Sequence, residues 1–273
     1  LLAARGATVV VNDLGGSMEG TGADAGPASD VAVQIADAGG TALADSSDVS
    51  TATGAQALVE EAVRSFGRVD VVINNAGIMR WAGFPEVDED DLAQHLAVHT
   101  VGSFHVTRAA WPHMVEHRYG RIVMTTSSGV FGLKNNTAYA TAKAAVIGLT
   151  RSLAVAGSPH GILANLIAPA AMTRMAGGGE TPGMAPELVA PMAAYLAHES
   201  CPVNGEIYAA GAGRFARVFL ATTTGYVHPG GNVTIEDVAQ HWAEINDQTG
   251  YAVPTDLREW SARFLAHLPP GDR

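Results

Sequence analysis

Apolar and polar positions in this chain switch repeatedly between two periods, and each switch marks an element. Thr8-Val9-Val10-Val11-Asn12 is a short β-branched run. Consecutive apolar positions over so few residues predict a strand covered on both faces. Val31 to Ala38 carries apolar residues at helical spacing and is closed by Gly39-Gly40. Thr41 to Asp45 predicts a strand, Ala52 to Phe66 a helix stopped at Gly67, and Val69 to Asn74 a further strand. Helical spacing then dominates from Asp88 to His117. Asp88 stands where an N-cap belongs, acidic residues fill the first turn, and Pro112 is expected to kink or end the helix. Ile122 to Thr125 predicts a strand, Tyr139 to Ala156 a helix, and Leu163 to Ile167 a strand stopped by Pro169. Ala185 to His198 reads as a helix and Ile207 to Ala210 as the last strand.

Strands alternating with helices predict an α/β fold, a Rossmann-like doubly wound parallel sheet flanked by helices. Residues 1–213 are expected to form this sheet domain. Residues 214–273 are expected as a C-terminal helical extension packed on the same domain, with helices over Ile235 to Ile245, capped by Thr234, and Leu257 to Leu268. The extension serves either as a dimer-stabilising tail or as part of the substrate pocket. Ala170 to Gly183, rich in Gly, Ala and Met, is a lid over the site or a plain loop.

Composition narrows the partners. A net charge of −11 argues against nucleic acid and anionic membranes. The single cysteine, Cys201, allows no internal disulfide and no thiolate zinc cluster, and is expected as a packed core side chain. No apolar run reaches the length of a membrane span and no signal segment opens the chain, so the expected compartment is the cytoplasm. His113 and His117 are four apart on a helix with Glu116 beside them, but the zinc-protease order is absent and no metal is expected.

Tyr139-Ala140-Thr141-Ala142-Lys143 carries the chemistry. Four residues apart on a helix, phenol and ammonium share one face, where the lysine charge favours ionisation of the phenol. That pair is a proton donor and acceptor. Asn74-Asn75-Ala76-Gly77 follows one predicted strand, Thr125-Thr126-Ser127-Ser128-Gly129 ends another, and Asn165 to Pro169 forms a third. In this order the four motifs resemble the short-chain dehydrogenase/reductase family, from Leu1 to about Gly213.

The resemblance implies an alcohol oxidoreductase with NAD as cofactor. It implies Tyr139 as general acid/base and Lys143 as its partner and ribose ligand. A hydroxyl orients the substrate carbonyl; counted from Arg121 it is Ser127, counted back from Tyr139 it is Thr126, and Ser128 stands third. His99 takes the place of the usual asparagine of a proton relay, or is a histidine held by the fold. Asp13, closing the strand Thr8 to Asn12, would accept from the adenosine ribose and repel a 2′-phosphate, which favours NAD over NADP; otherwise it is a turn aspartate. Asp48 and Val49 would contact adenine, Asn74, Asn75, Ala76 and Gly77 the adenosine ribose, and Ala171, Met172, Thr173 and Arg174 the nicotinamide carboxamide.

The family's opening strand, Gly-rich turn and helix are not found. Leu1 to Gly6 looks like the end of that helix, and the glycines of Gly15 to Gly22 follow a later strand. About 25 to 30 residues are therefore expected to be missing, with Thr8 to Asn12 and Val69 to Asn74 flanking the central slot. Val11 to Gly16, Gly102 to Trp111, His198 to Cys201 and Gly211 to Gly213 resemble the (3R)-3-hydroxyacyl-CoA dehydrogenases of the family. The alternatives are oxidation of another secondary alcohol, such as a steroid or terpenoid, and a non-catalytic binding or scaffold protein. The family pairs through the helices that hold Asp88 to His117 and Tyr139 to Ala156, so a homodimer or homotetramer is expected.

Overall fold

In the computed structural model, which describes residues 1–178 and 181–268, the predicted alternation becomes seven strands among the described residues. They are β1 (Thr8–Asn12), β2 (Thr41–Asp45), β3 (Val71–Asn74), β4 (Gly120–Thr125), β5 (Ile162–Ala170), β6 (Ile207–Gly211) and β7 (Arg214–Val218). The helices of the first 217 residues are α1 (Gly26–Asp37), α2 (Ala52–Phe66), α3 (Glu89–His95), α4 (Ser103–His117), α5 (Thr137–Gly157) and α6 (Ala190–Leu196). Contacts divide the chain into two compact units, one from Leu1 to Arg217 and one from Val218 onward.

The strands form two sheets. β1 pairs in parallel with β2, and β3-β4-β5-β6-β7 form the other. β3 to β6 are parallel throughout, with Asn74 opposite Met124 and Thr125 opposite Ile167. Among the described residues β1 pairs only with β2 and β3 only with β4. The valines of β1 are accordingly only half-buried, whereas all six residues of β4 are buried. The core lies around β4 and β5. Val123, Ile167 and Ala210 meet Leu196, Ala197 and Cys201 there, and Cys201 is a packed free thiol as expected.

Several element ends differ from the pattern reading. α1 begins five residues earlier than Val31, because Pro27 near its start pre-sets the helical φ and needs no donor there. Pro112 does not end its helix, since α4 runs on to His117 and a proline removes a single i→i−4 bond. Pro169 lies inside β5, not beyond it. The β4 ladder stops at Ile167, so Pro169 sits where only β6 is a neighbour and forfeits little pairing. The segment after Ala185 breaks into a 3₁₀ turn (Pro186–Leu188) and α6. β7 was not expected. Ala212 at φ 50° and Gly213 at φ 74° supply the two left-handed residues of a tight hairpin turn from β6.

From Asp88 to His117 helical structure is continuous but not uniform. Asp88 caps it by accepting the Asp91 N–H. Between α3 and α4 lies a π-helical stretch, Leu96–Gly102, and such stretches often mark functional sites. In the second unit Thr234 and Asp237 form a capping box on α7 (Ile235–Gln240). His241 then breaks the expected single helix, which resumes as α8 (Trp242–Ile245); α9 spans Leu257–Phe264.

Candidate active site

The carboxyl ends of β3, β4 and β5 carry the sequence-predicted chemistry, as expected for ligands of a parallel sheet. Tyr139 and Lys143 lie one turn apart near the start of α5. Ser127 follows β4 in extended conformation and caps the short turn Ser128–Phe131 by accepting the Gly129 N–H at 3.0 Å. The Ser127 hydroxyl lies near the Tyr139 phenol and favours its ionised form. Thr126 faces the other way. It is buried, and its hydroxyl donates to the Lys143 carbonyl at 2.8 Å. The alternation of side chains along an extended segment separates the two hydroxyls that counting left open. Ser128 opens the turn.

Lys143 is buried, its Nζ donates to the Thr125 carbonyl at 2.8 Å, and it lies 5.6 Å from the Tyr139 ring centre. Burial lowers its pKa to about 7. Burial also raises the Tyr139 phenol above its ordinary value, and the nearby Ser127 hydroxyl partly offsets this. The expected lowering of the phenol by the lysine is therefore corrected. Desolvation weighs on both charged forms, and the ammonium is spent on a carbonyl.

His99 lies in the π-helical stretch and is buried against Tyr139, edge to face, with centroids 5.3 Å apart. Its Nε2 is 2.9 Å from the Ile78 carbonyl and 3.2 Å from the Ile78 N–H, while its Nδ1 has no hydrogen-bond partner. Burial drives its pKa down to about 2. Gly77 is needed here, because a Cβ would stand 2.5 Å from His99 Cε1. His95 stacks on His99 at 5.9 Å and touches Tyr139 at 6.2 Å. Sequence reading missed it, although its i,i+4 spacing to His99 was the available signal. The pair it did weigh, His113 and His117, is joined only through a main-chain bond, His117 Nδ1 to the His113 carbonyl. No cluster of metal-ligating side chains occurs among the described residues.

The nucleotide residues fall in three places. Asp13 is exposed after β1, its carboxylate accepting the Gly15 N–H at 2.7 Å. Asp48 caps the Ser50 N–H beyond β2, and the backbone of the neighbouring Val49 faces Gly102. Asn74 turns inward to Thr107 and Met124, while Asn75 and Ala76 are exposed at the end of β3 and Asn75 accepts from Thr125. Ala171 and Met172 are half-buried, and Thr173 and Arg174 exposed, beyond β5. Residues 179 and 180 of the expected lid lie outside the described residues.

These positions fit a nicotinamide nucleotide at its adenosine and nicotinamide ends. Asn75, Ala76 and Asp13 are exposed and open to ribose contacts. The loop Gly15 to Gly22 does not fit a phosphate. Its Gly15, Ser17, Gly20 and Thr21 N–H groups are all bonded within the loop region.

The short chain dehydrogenase family profile matches residues 2–179. A short-chain type dehydrogenase/reductase of Mycobacterium tuberculosis is 42% identical over 91% of this chain and 88% of its own length. The peroxisomal multifunctional enzyme type 2 of Mus musculus is 39% identical over 94% of this chain, which spans only 36% of that enzyme. Among solved structures, a 7α-hydroxysteroid dehydrogenase complexed with NADH and 7-oxo glycochenodeoxycholic acid superposes with a TM-score of 0.69 at 28% identity, over 77% of this chain and 86% of its own.

Proposed function

The chain belongs to the short-chain dehydrogenase/reductase family, and on that footing we propose that it oxidises a secondary alcohol, a (3R)-3-hydroxyacyl-CoA, to the ketone with NAD. The observation that carries this is the Ser127–Tyr139–Lys143 arrangement at the end of β4. Ser127 orients the substrate oxygen. Tyr139 exchanges a proton with it. Lys143 lies one turn away and anchors the end of β4 beside the phenol, and a pKa near 7 lets it hold or release a proton at working pH. His99 stands neutral and buried beside the phenol. The bound nicotinamide ring would take the hydride. Asp13 would disfavour a 2′-phosphate and so select NAD over NADP.

The acyl-CoA substrate rests on the sequence resemblance to hydroxyacyl-CoA dehydrogenases and on the likeness to the mouse multifunctional enzyme. Oxidation of a steroid alcohol is the second reading, supported by the likeness to the hydroxysteroid dehydrogenase. A non-catalytic binding protein is the third, supported by the internally bonded loop Gly15 to Gly22. NAD reduction measured with a panel of 3-hydroxyacyl-CoAs, hydroxysteroids and simple secondary alcohols separates the three. Preference for a hydroxysteroid overturns the acyl-CoA reading, and binding of NADH without turnover of any alcohol overturns catalysis.

We also place the protein in the cytoplasm, on its buried single thiol and because no described helix is long and apolar enough to cross a membrane. A homodimer or homotetramer is supported by α4 and α5. They frame a groove of about 230 Å³ lined by Phe104, Trp111, Leu149 and Leu153, and Phe104 and Val155 are exposed along them.

A further inference from the structure

Two histidines a helical turn apart lie against Tyr139, and the proton chemistry proposed for the site involves only His99. The other, His95, is fully buried, and the main chain holds both of its ring nitrogens. Nδ1 lies 2.7 Å from the Asp91 carbonyl, and Nε2 lies 3.2 Å from the Arg80 nitrogen. A carbonyl only accepts and a backbone N–H only donates, so Nδ1 carries the proton and Nε2 the lone pair. The ring is fixed as one neutral tautomer, and burial favours that neutral form.

The bond to Arg80 reaches further. Ile78 and Arg80 are two apart on one segment. His99 Nε2 faces both the Ile78 carbonyl at 2.9 Å and the Ile78 N–H at 3.2 Å, and the shorter contact to the carbonyl assigns the proton to Nε2, while the Arg80 N–H is gripped by His95. Between them, Met79 N–H donates to the Met18 carbonyl, and Arg80 Nε donates to the Glu19 carbonyl, each at 2.8 Å. Holding Arg80 therefore holds the carbonyl that selects the His99 tautomer. The parallel stack of the two rings, 13° apart in plane, walls His99 on one side, and Gly77 closes another. With Nε2 donating, His99 Nδ1 is left as a buried lone pair without a partner, a state that needs an enforcing neighbour.

We infer that His95 is a positioning residue of this centre. It pins the Ile78–Arg80 segment and thereby keeps His99 as the Nε2–H tautomer, with its Nδ1 lone pair unbonded in the ring that packs on Tyr139. The assignment of a proton-handling role to His99 rests on the dehydrogenase reading; the positioning of its ring does not.

Nitrogen NMR of the histidine rings in the full chain reads the tautomer directly, and turnover of (3R)-3-hydroxydecanoyl-CoA with NAD reads its consequence. His95→Phe keeps the ring and its stacking but removes both hydrogen bonds. It should give mixed His99 tautomers and lower kcat by roughly 10- to 100-fold, as expected for a small displacement of a reacting group. The KM for NAD should stay within about twofold, because the nucleotide contacts lie elsewhere. His95→Gln, which can still accept from Arg80, should recover the single tautomer, and His95→Asn, which can only replace the bond to Asp91, should not. A single unchanged His99 tautomer in His95→Phe, with kcat within about twofold of the parent, overturns the inference. If that variant does not fold, identical His99 spectra in the Gln and Asn variants overturn it. Failure of the parent to oxidise any alcohol would remove the dehydrogenase reading while leaving the spectra to decide on His95.

Discussion

Lys143, one turn from Tyr139, is bonded to the end of β4. Its Nζ lies 5.6 Å from the ring centre and donates to the Thr125 carbonyl at 2.8 Å. The lysine is thereby tethered to the end of β4, where Ser127 begins its turn, and one strand end organises both partners of the tyrosine. The phenol itself, raised by burial, is protonated at neutral pH. In the proposed reaction it would donate its proton in the reductive direction.

Tyr139→Phe should abolish turnover while leaving NAD affinity nearly intact. General acid/base catalysis is commonly worth 10²–10⁴-fold, so residual activity above about one per cent of the parent would refute the assignment. Steady-state rates and NAD titration make the comparison.

Ser127→Ala and Thr126→Ala should part company. The serine lies near Tyr139 and favours its ionised form, so its loss should lower kcat with little change in melting temperature. The threonine is buried and bonded to the Lys143 carbonyl. Its loss should cost about 1–3 kcal/mol of stability, read by denaturant unfolding. A larger kcat effect from Thr126 than from Ser127 would reverse the assignment of the orienting hydroxyl.

Asp13→Ala should weaken NAD binding and relax discrimination against NADP. Its carboxylate is exposed at the end of β1 and bonded locally to the Gly15 N–H, so little stability should be lost. Cofactor affinities of parent and variant, measured side by side, decide; a parent that already prefers NADP contradicts the reading.

Acid should destabilise the fold through its buried histidines. Burial lowers His99 to about 2 and lowers His95 as well, so in mild acid the unfolded chain binds protons that the folded one refuses. Stability should fall as pH drops below about 6.5, by up to about 1.4 kcal/mol per pH unit for each histidine, down toward the folded pKa. Lys143 acts in the same sense at higher pH. With its folded pKa near 7, stability should rise with pH between about 7 and its unfolded value near 10.4. Urea unfolding across pH tests both, and His99→Asn should flatten the acid limb.

Phe104→Glu should dissociate the proposed homo-oligomer. Phe104 is 44% exposed beside the groove between α4 and α5, and a carboxylate there could not be buried against a second copy without cost. Light scattering should show the parent as a dimer or tetramer and the variant as a monomer. A monomeric parent would remove the proposal.

Local rules sufficed for much of this protein. β1, β2 and α2 fall on the residues that the patterns of period and capping predict, because short strands and capped helices are specified by neighbours within a few positions. The order of Asn74 to Gly77, Thr125 to Gly129 and Tyr139 to Lys143 was enough to identify the family. Tertiary structure decided what depends on distant contacts. Pro169 stays within β5 because the β4 ladder has already ended, a fact of register invisible along the chain. Thr126 and Ser127 are neighbours in sequence but face opposite ways, and only the β4–α5 packing tells which one meets Tyr139. The lysine's effect on the phenol, inferred from spacing, was outweighed by desolvation, which is a property of the surrounding fold. His95 gained its place from hydrogen bonds to Arg80, fifteen residues away, through a segment whose path no local pattern records.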